Sequence, residues 1–151
     1  MVIEVDPLRA AGPVLLGASF EEAGRALAAW GTPRPFAPYP GAEPLDWRLT
    51  DSGVIAHVFC GSAGVVQTVE ISRFGVESRA RVLLMGMDVF SMPAEQVIAK
   101  LEARYDVADD AGGLVVPKLA IGMSYPTDPD QEGFDSVLIA GQGYYDPPSA
   151  D

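Results

Sequence analysis

One histidine and one cysteine, His57 and Cys60, stand three residues apart in the run 54–60, VIAHVFC. A Cys–His dyad needs both side chains on one side of the backbone. Side chains alternate along a strand, so a separation of three sets this pair on opposite faces. As a general base, His57 would need a nucleophile and an orienting acid beside it. Ser52, Ser62 and Asp51 are the local candidates, and none sits in a nucleophile-elbow pattern. His57 therefore reads as a packed or half-exposed strand histidine, and one Cys with one His cannot supply a zinc spacing.

The fragment 128–133, DPDQEG, is the best metal-like stretch. Acids at positions one, three and five with glycine at six match the first half of an EF-hand loop. Position twelve is Ile139, where a bidentate glutamate is required, and 134–140 (FDSVLIA) reads as a strand where a helix should follow. The fragment is expected to be an acidic surface loop. Gly141–Gln142–Gly143 follows a strand with no helix to receive a phosphate, and no dinucleotide or P-loop glycine pattern occurs. No catalytic set, metal or cofactor is expected.

Exposed aromatic anchors with a polar rim suit protein recognition. The candidate partner-binding residues are Asp128, Asp130, Glu132 and Asp135, near Tyr125, with Tyr144 and Tyr145 as a separate group after residue 140. If 118–124 and 134–140 form a hairpin, the two groups leave its opposite ends.

Several elements must position these residues. In 17–31, GASFEEAGRALAAWG, Ser19 and Glu22 form a capping box. Phe20, Ala23, Leu27, Ala28 and Trp30 mark a buried helical face, and Gly31 with Pro33 closes the helix. Val2, Ile3 and Val5 suggest a short edge strand. The stretch 32–44 carries five prolines and reads as an extended surface loop pinned by Phe36 and Tyr39. Strands follow at 45–50, with Leu45, Trp47 and Leu49 inward, at 54–60, apolar on both faces, and at 65–71. The short connections favour antiparallel hairpins. A polar connector over 73–78 leads to a strand-like run over 79–90, interrupted at Gly86. Ser91 then caps a second helix whose buried face is Val97, Ile98, Leu101 and Tyr105. Asp109–Asp110 and Gly112–Gly113 break the chain before strands at 118–124 and 134–140.

The two helices lie roughly half a chain apart. The fold expected is α+β: two tandem helix-plus-antiparallel-meander units, over 1–75 and 76–151, with helices packed on a largely antiparallel sheet. The 151 residues, 48% hydrophobic, suffice for one domain or two small lobes. The formal charge is −11, divided as −3 in residues 1–75 (eight acids, five bases) and −8 in 76–151 (thirteen acids, five bases). Such a surface repels nucleic acid and anionic lipid and suits a basic partner. One cysteine permits no internal disulfide, and the early acids of MVIEVDPLRAAGPVLLG argue against a signal peptide. With no run long enough to span a bilayer, a cytoplasmic location is expected.

The stretch 12–22, GPVLLGASFEE, resembles an opening found in uncharacterised bacterial proteins, and is similar to the helix start of BamE/SmpA-type outer-membrane assembly lipoproteins. The helix-then-meander order also resembles the two-lobed β-lactamase inhibitory protein. The resemblance implies a repeated fold; the chain has neither a lipid-anchor cysteine near its start nor cysteines to staple each lobe. The function expected is non-enzymatic: an acidic protein-binding domain of the inhibitor or immunity type that covers a basic protein. The alternatives are a small-ligand domain or enzyme with a helix–sheet pocket lined by Trp30, Trp47, Phe59 and Tyr105, or a self-assembling structural subunit.

Overall fold

A computed structural model describes residues 1–51, 53–73 and 80–146. Ser52, most of the polar connector and the tail from 147 lie outside the described residues. The first strands are β1 (Val2–Asp6), β2 (Ala10–Ala11) and β3 (Val14–Leu15), followed by α1 (Phe20–Leu27). Then come β4 (Arg34–Phe36), β5 (Asp46–Asp51), β6 (Val54–Phe59) and β7 (Thr68–Arg73). The second half holds β8 (Arg81–Leu84), β9 (Met87–Asp88), α2 (Ala94–Glu102), β10 (Ala108–Asp110), β11 (Gly113–Val116), β12 (Ile121–Ser124) and β13 (Ser136–Ala140). The fold is mixed α+β with two sheets.

The larger sheet runs β10-β11-β12-β13-β7-β6-β5-β4, antiparallel throughout, and β7 and β13 join at its centre. The smaller sheet runs β3-β2-β1-β8-β9, with β1 parallel to β8. Period-two alternation gives the large sheet two unlike faces. Across one face run Leu49, Ala56, Ile71, Val137, Met123 and Leu114 in direct register, all buried. A second inward row holds Val58, Val69, Ile139, Ile121 and Val116, all fully buried. Each such aliphatic side chain stabilises the fold by about 1.5–3 kcal/mol relative to exposure. The opposite face carries Arg48, His57, Glu70, Leu138, Gly122 and Val115 in one row.

α1 starts as its sequence dictates: Ser19 Oγ accepts the Glu22 N–H at 3.1 Å. The reciprocal arm differs from a capping box, because the Glu22 carboxylate accepts the Ser19 hydroxyl, not its backbone N–H. The helix ends at Leu27 with Ala28 as C-cap, short of Gly31. Gly31, at φ +149°, lies against the Asp51 carboxylate, where a Cβ would collide. Ala28 is exposed, and Gly24 takes its place on the buried face beside Ala23 and Leu27. Trp47 of β5 covers this face, its ring 4.6 Å from that of Phe20 and its indole N–H donating to the Phe20 carbonyl at 2.7 Å.

α2 has no side-chain cap; Pro93 occupies the cap position and Ser91 stands two residues earlier. The Ala94 N–H donates instead to the Glu132 carbonyl at 2.9 Å. Val97 and Leu101 are buried, with Ile98 and Tyr105 half-buried against the core.

Other expectations change. β1 is interior to its sheet because β8 covers the side that a local reading leaves bare. The proline-rich stretch contributes β4, and Phe36 and Tyr39 are exposed rather than pinned inward. β6 is interior to the sheet order, yet Ile55 and Phe59 face outward. The acid–glycine break at 109–113 is a hairpin: Asp110 opposes Gly113, and Gly112 turns at φ +89°. The strand expected from 118 begins at Ile121, after a 3-10 turn over Pro117–Leu119.

Candidate functional site

The acid loop between β12 and β13 is organised by its own side chains. Asp135 accepts from the Thr127 N–H at 3.0 Å, the Thr127 hydroxyl at 2.9 Å and Gln131 Nε2 at 2.6 Å. Asp128 Oδ1 accepts the Asp130 N–H at 2.9 Å. Glu132 serves the fold through its carbonyl, which receives α2, while its side chain is exposed. Asp128, Asp130 and Glu132 are therefore presented to solvent, and Asp135 is partly buried as the hub. None of these four carboxylates forms an ion pair among the described residues. A polar cleft of about 460 Å³ beside the loop is bordered by Ser72, Ser124, Ser136 and Asp135.

At the loop's root, Tyr125 lies over Phe134, centroids 6.0 Å apart, and donates to Asp109 Oδ1 at 2.7 Å. That hydrogen bond is the main cause of a raised Tyr125 pKa, with smaller contributions from desolvation and the charges of Asp109 and Glu102.

Tyr144 and Tyr145 stand apart from the loop. Tyr145 folds back onto the outer sheet face, its hydroxyl over Gly122, where any Cβ would meet it at 2.3 Å. Burial foremost, then the neighbouring Tyr144, Asp110 and Glu70, pushes its pKa up to about 12. Tyr144 packs edge-on against it at 4.9 Å and is exposed. The structure thus gathers the four acids in one loop and places Tyr145 on the sheet, with Tyr144 exposed beside it.

His57 is half-exposed on the outer face, and its Nε2 meets Asp46 Oδ2 at 3.1 Å. Asp46 Oδ1 is buried without a hydrogen-bond partner. Cys60 is buried, and burial, followed by the charges of Asp46 and Glu21, raises its thiol pKa. Of the four aromatics proposed for a helix–sheet pocket, Trp30 lies in the core, Trp47 stacks on Phe20, Tyr105 is half-buried against the core after α2, and Phe59 is 43% exposed on the outer face.

The sequence reading missed a second surface, at the β4 edge. Arg34 and Arg48 are direct cross-strand partners, and both are exposed. The Arg48 guanidinium stands 4.3 Å from the centroid of the Phe36 ring. A cleft of about 600 Å³ is lined by both arginines, Phe36, Ile55, Asp51 and the threonines Thr32 and Thr50. The signal available was the alternation of Arg34 with Phe36, obscured by the intervening and flanking prolines.

No described helix is long and apolar enough to cross a membrane, and no group of three or more His, Cys, Asp or Glu side chains suited to a metal occurs among the described residues. No protein-family model matches the chain, and no curated protein or solved structure matches it significantly.

Proposed function

We propose that this chain is a non-enzymatic binding protein of the inhibitor or immunity type, whose acid loop makes first contact with a basic protein partner. The carrying observation is a loop held by Asp135, Thr127 and Gln131 that directs Asp128, Asp130 and Glu132 into solvent. An anionic surface fixed before encounter speeds association with a cationic one and loses less conformational freedom on docking. The net charge of −11 extends the attraction beyond the loop. Tyr144 and Tyr145 form a separate, weaker contact.

The matching order of elements, four strands β4 to β7 and four strands β10 to β13, each preceded by a hairpin and a helix, supports a duplicated unit. In this reading the halves meet at β7–β13 and β1–β8.

The test is capture of basic proteins from lysate at low salt, followed by association kinetics with the captured partner. Replacing Asp128, Asp130 and Glu132 together by Asn, Asn and Gln should leave stability unchanged, because exposed charges contribute little. Association should slow and its salt dependence flatten. Recovery of no basic protein, or an unchanged on-rate and salt slope, overturns the proposal.

A further inference from the structure

We propose that the cleft at the β4 edge binds a small organic anion: a carboxylate or phosphate carried on a flat apolar body. Arg34 and Arg48 are directly opposed on paired strands. Like charges so placed destabilise a sheet unless something neutralises them. Neither arginine forms an ion pair among the described residues, although the chain carries 21 acids against 10 bases. Of the nearby carboxylates, Asp46 meets His57, and Asp51, which lines the cleft beside Gly31, forms no ion pair with either arginine. Two arginines on one sheet face, lining one cleft, offer the planar donor forks that bind carboxylate or phosphate oxygens in pairs.

The surroundings define the rest of the ligand. The Phe36 ring already lies beneath the Arg48 guanidinium, and Ile55 adds an exposed apolar surface. Together they suit an aromatic or similarly flat group attached to the anion. Thr32 and Thr50 add polar residues to the lining. The cleft volume, about 600 Å³, falls within the range of small-molecule sites. Pro35 has no N–H to offer at the middle of β4, so addition of a peptide strand to this edge is disfavoured. The site is independent of the acid loop.

Calorimetric and thermal-shift titrations of the whole chain should use phenyl phosphate, benzoate, inorganic phosphate and neutral benzamide. Phenyl phosphate, benzoate or both should bind saturably and raise the melting temperature. Inorganic phosphate should bind more weakly, and benzamide should produce no shift. The two aryl anions distinguish a phosphate ligand from a carboxylate. Arg34→Gln and Arg48→Gln should each weaken binding by about tenfold or more, and Arg48→Lys should also weaken it, because an ammonium keeps the charge without the fork. Both arginines are exposed, so the variants should keep the wild-type circular dichroism spectrum; if one fails to fold, the other and Arg48→Lys carry the test. Absence of saturable binding by both aryl anions, or affinity unchanged in the arginine variants, overturns the proposal.

Discussion

The two helices are similar in length but begin in different ways. α1 carries its own start: Ser19 caps the Glu22 N–H within one turn, and two acids in that turn complement the helix dipole. α2 borrows its start from a distant part of the chain, since the Ala94 N–H is satisfied by the Glu132 carbonyl. Their buried faces differ too. α1 uses a glycine to admit the Trp47 ring, whereas α2 buries branched aliphatics, Val97 and Leu101. A helix start can be specified locally or tertiarily, and only the first kind is written in the residues beside it.

The contrast can be tested by substitution. The largest effect belongs to the shared property, burial. Leu27→Ala and Leu101→Ala should each destabilise the protein by about 2–5 kcal/mol in denaturant unfolding, because both side chains are almost wholly enclosed. A cost below about 1 kcal/mol at either site would mean that its helix is not part of the core. Next comes Gly24→Ala. On an exposed helix this change stabilises by up to about 1 kcal/mol. Here the new Cβ would stand 2.4 Å from the Trp47 ring, so a net loss of about 1–3 kcal/mol is expected. A gain in stability would show that the indole moves aside freely. The smallest effects separate the helix starts. Ser19→Ala should cost about 1 kcal/mol, and Ser91→Ala should fall within about 0.5 kcal/mol of wild type. Equal losses from both serines would erase the distinction.

What could be read in the sequence follows the same division. The Ser19 cap, the alternating apolar residues of β5 and the inward face of Val97 and Leu101 are encoded within a few residues of themselves. Ser91 looked like a cap because serine precedes Pro93, but Asp88 organises that turn. Its carbonyl accepts the Ser91 and Met92 N–H groups, and its carboxylate accepts that of Phe90. The hairpin of β10 and β11 was hidden because paired acids and glycines mark a turn without revealing strands around it. Asp109 and Asp110 are exposed at the sheet edge and supply no apolar alternation. At the candidate sites, the acid loop was visible as composition. Its Asp135 hub was not, since that role depends on Thr127 and Gln131 folding back. The arginine cleft was invisible for a similar reason: Arg34 and Arg48 become neighbours only through the β4–β5 register.

The parallel pairing of β1 with β8 has a consequence for how the chain is made. Val2 leaves the ribosome about eighty residues before its partner Arg81, a span that places this contact among the slow, long-range closures of folding. β7 must likewise wait for β13, the last strand of its sheet. A nascent first half therefore holds one strand on each sheet that is paired along only one side, β1 with Ile3 and Val5 and β7 with Val69 and Ile71, whose apolar side chains reach their final burial only when the second half arrives. Synthesis of this protein passes through an interval in which both sheet edges are open to pairing with other chains, and the speed of elongation sets how long that exposure lasts.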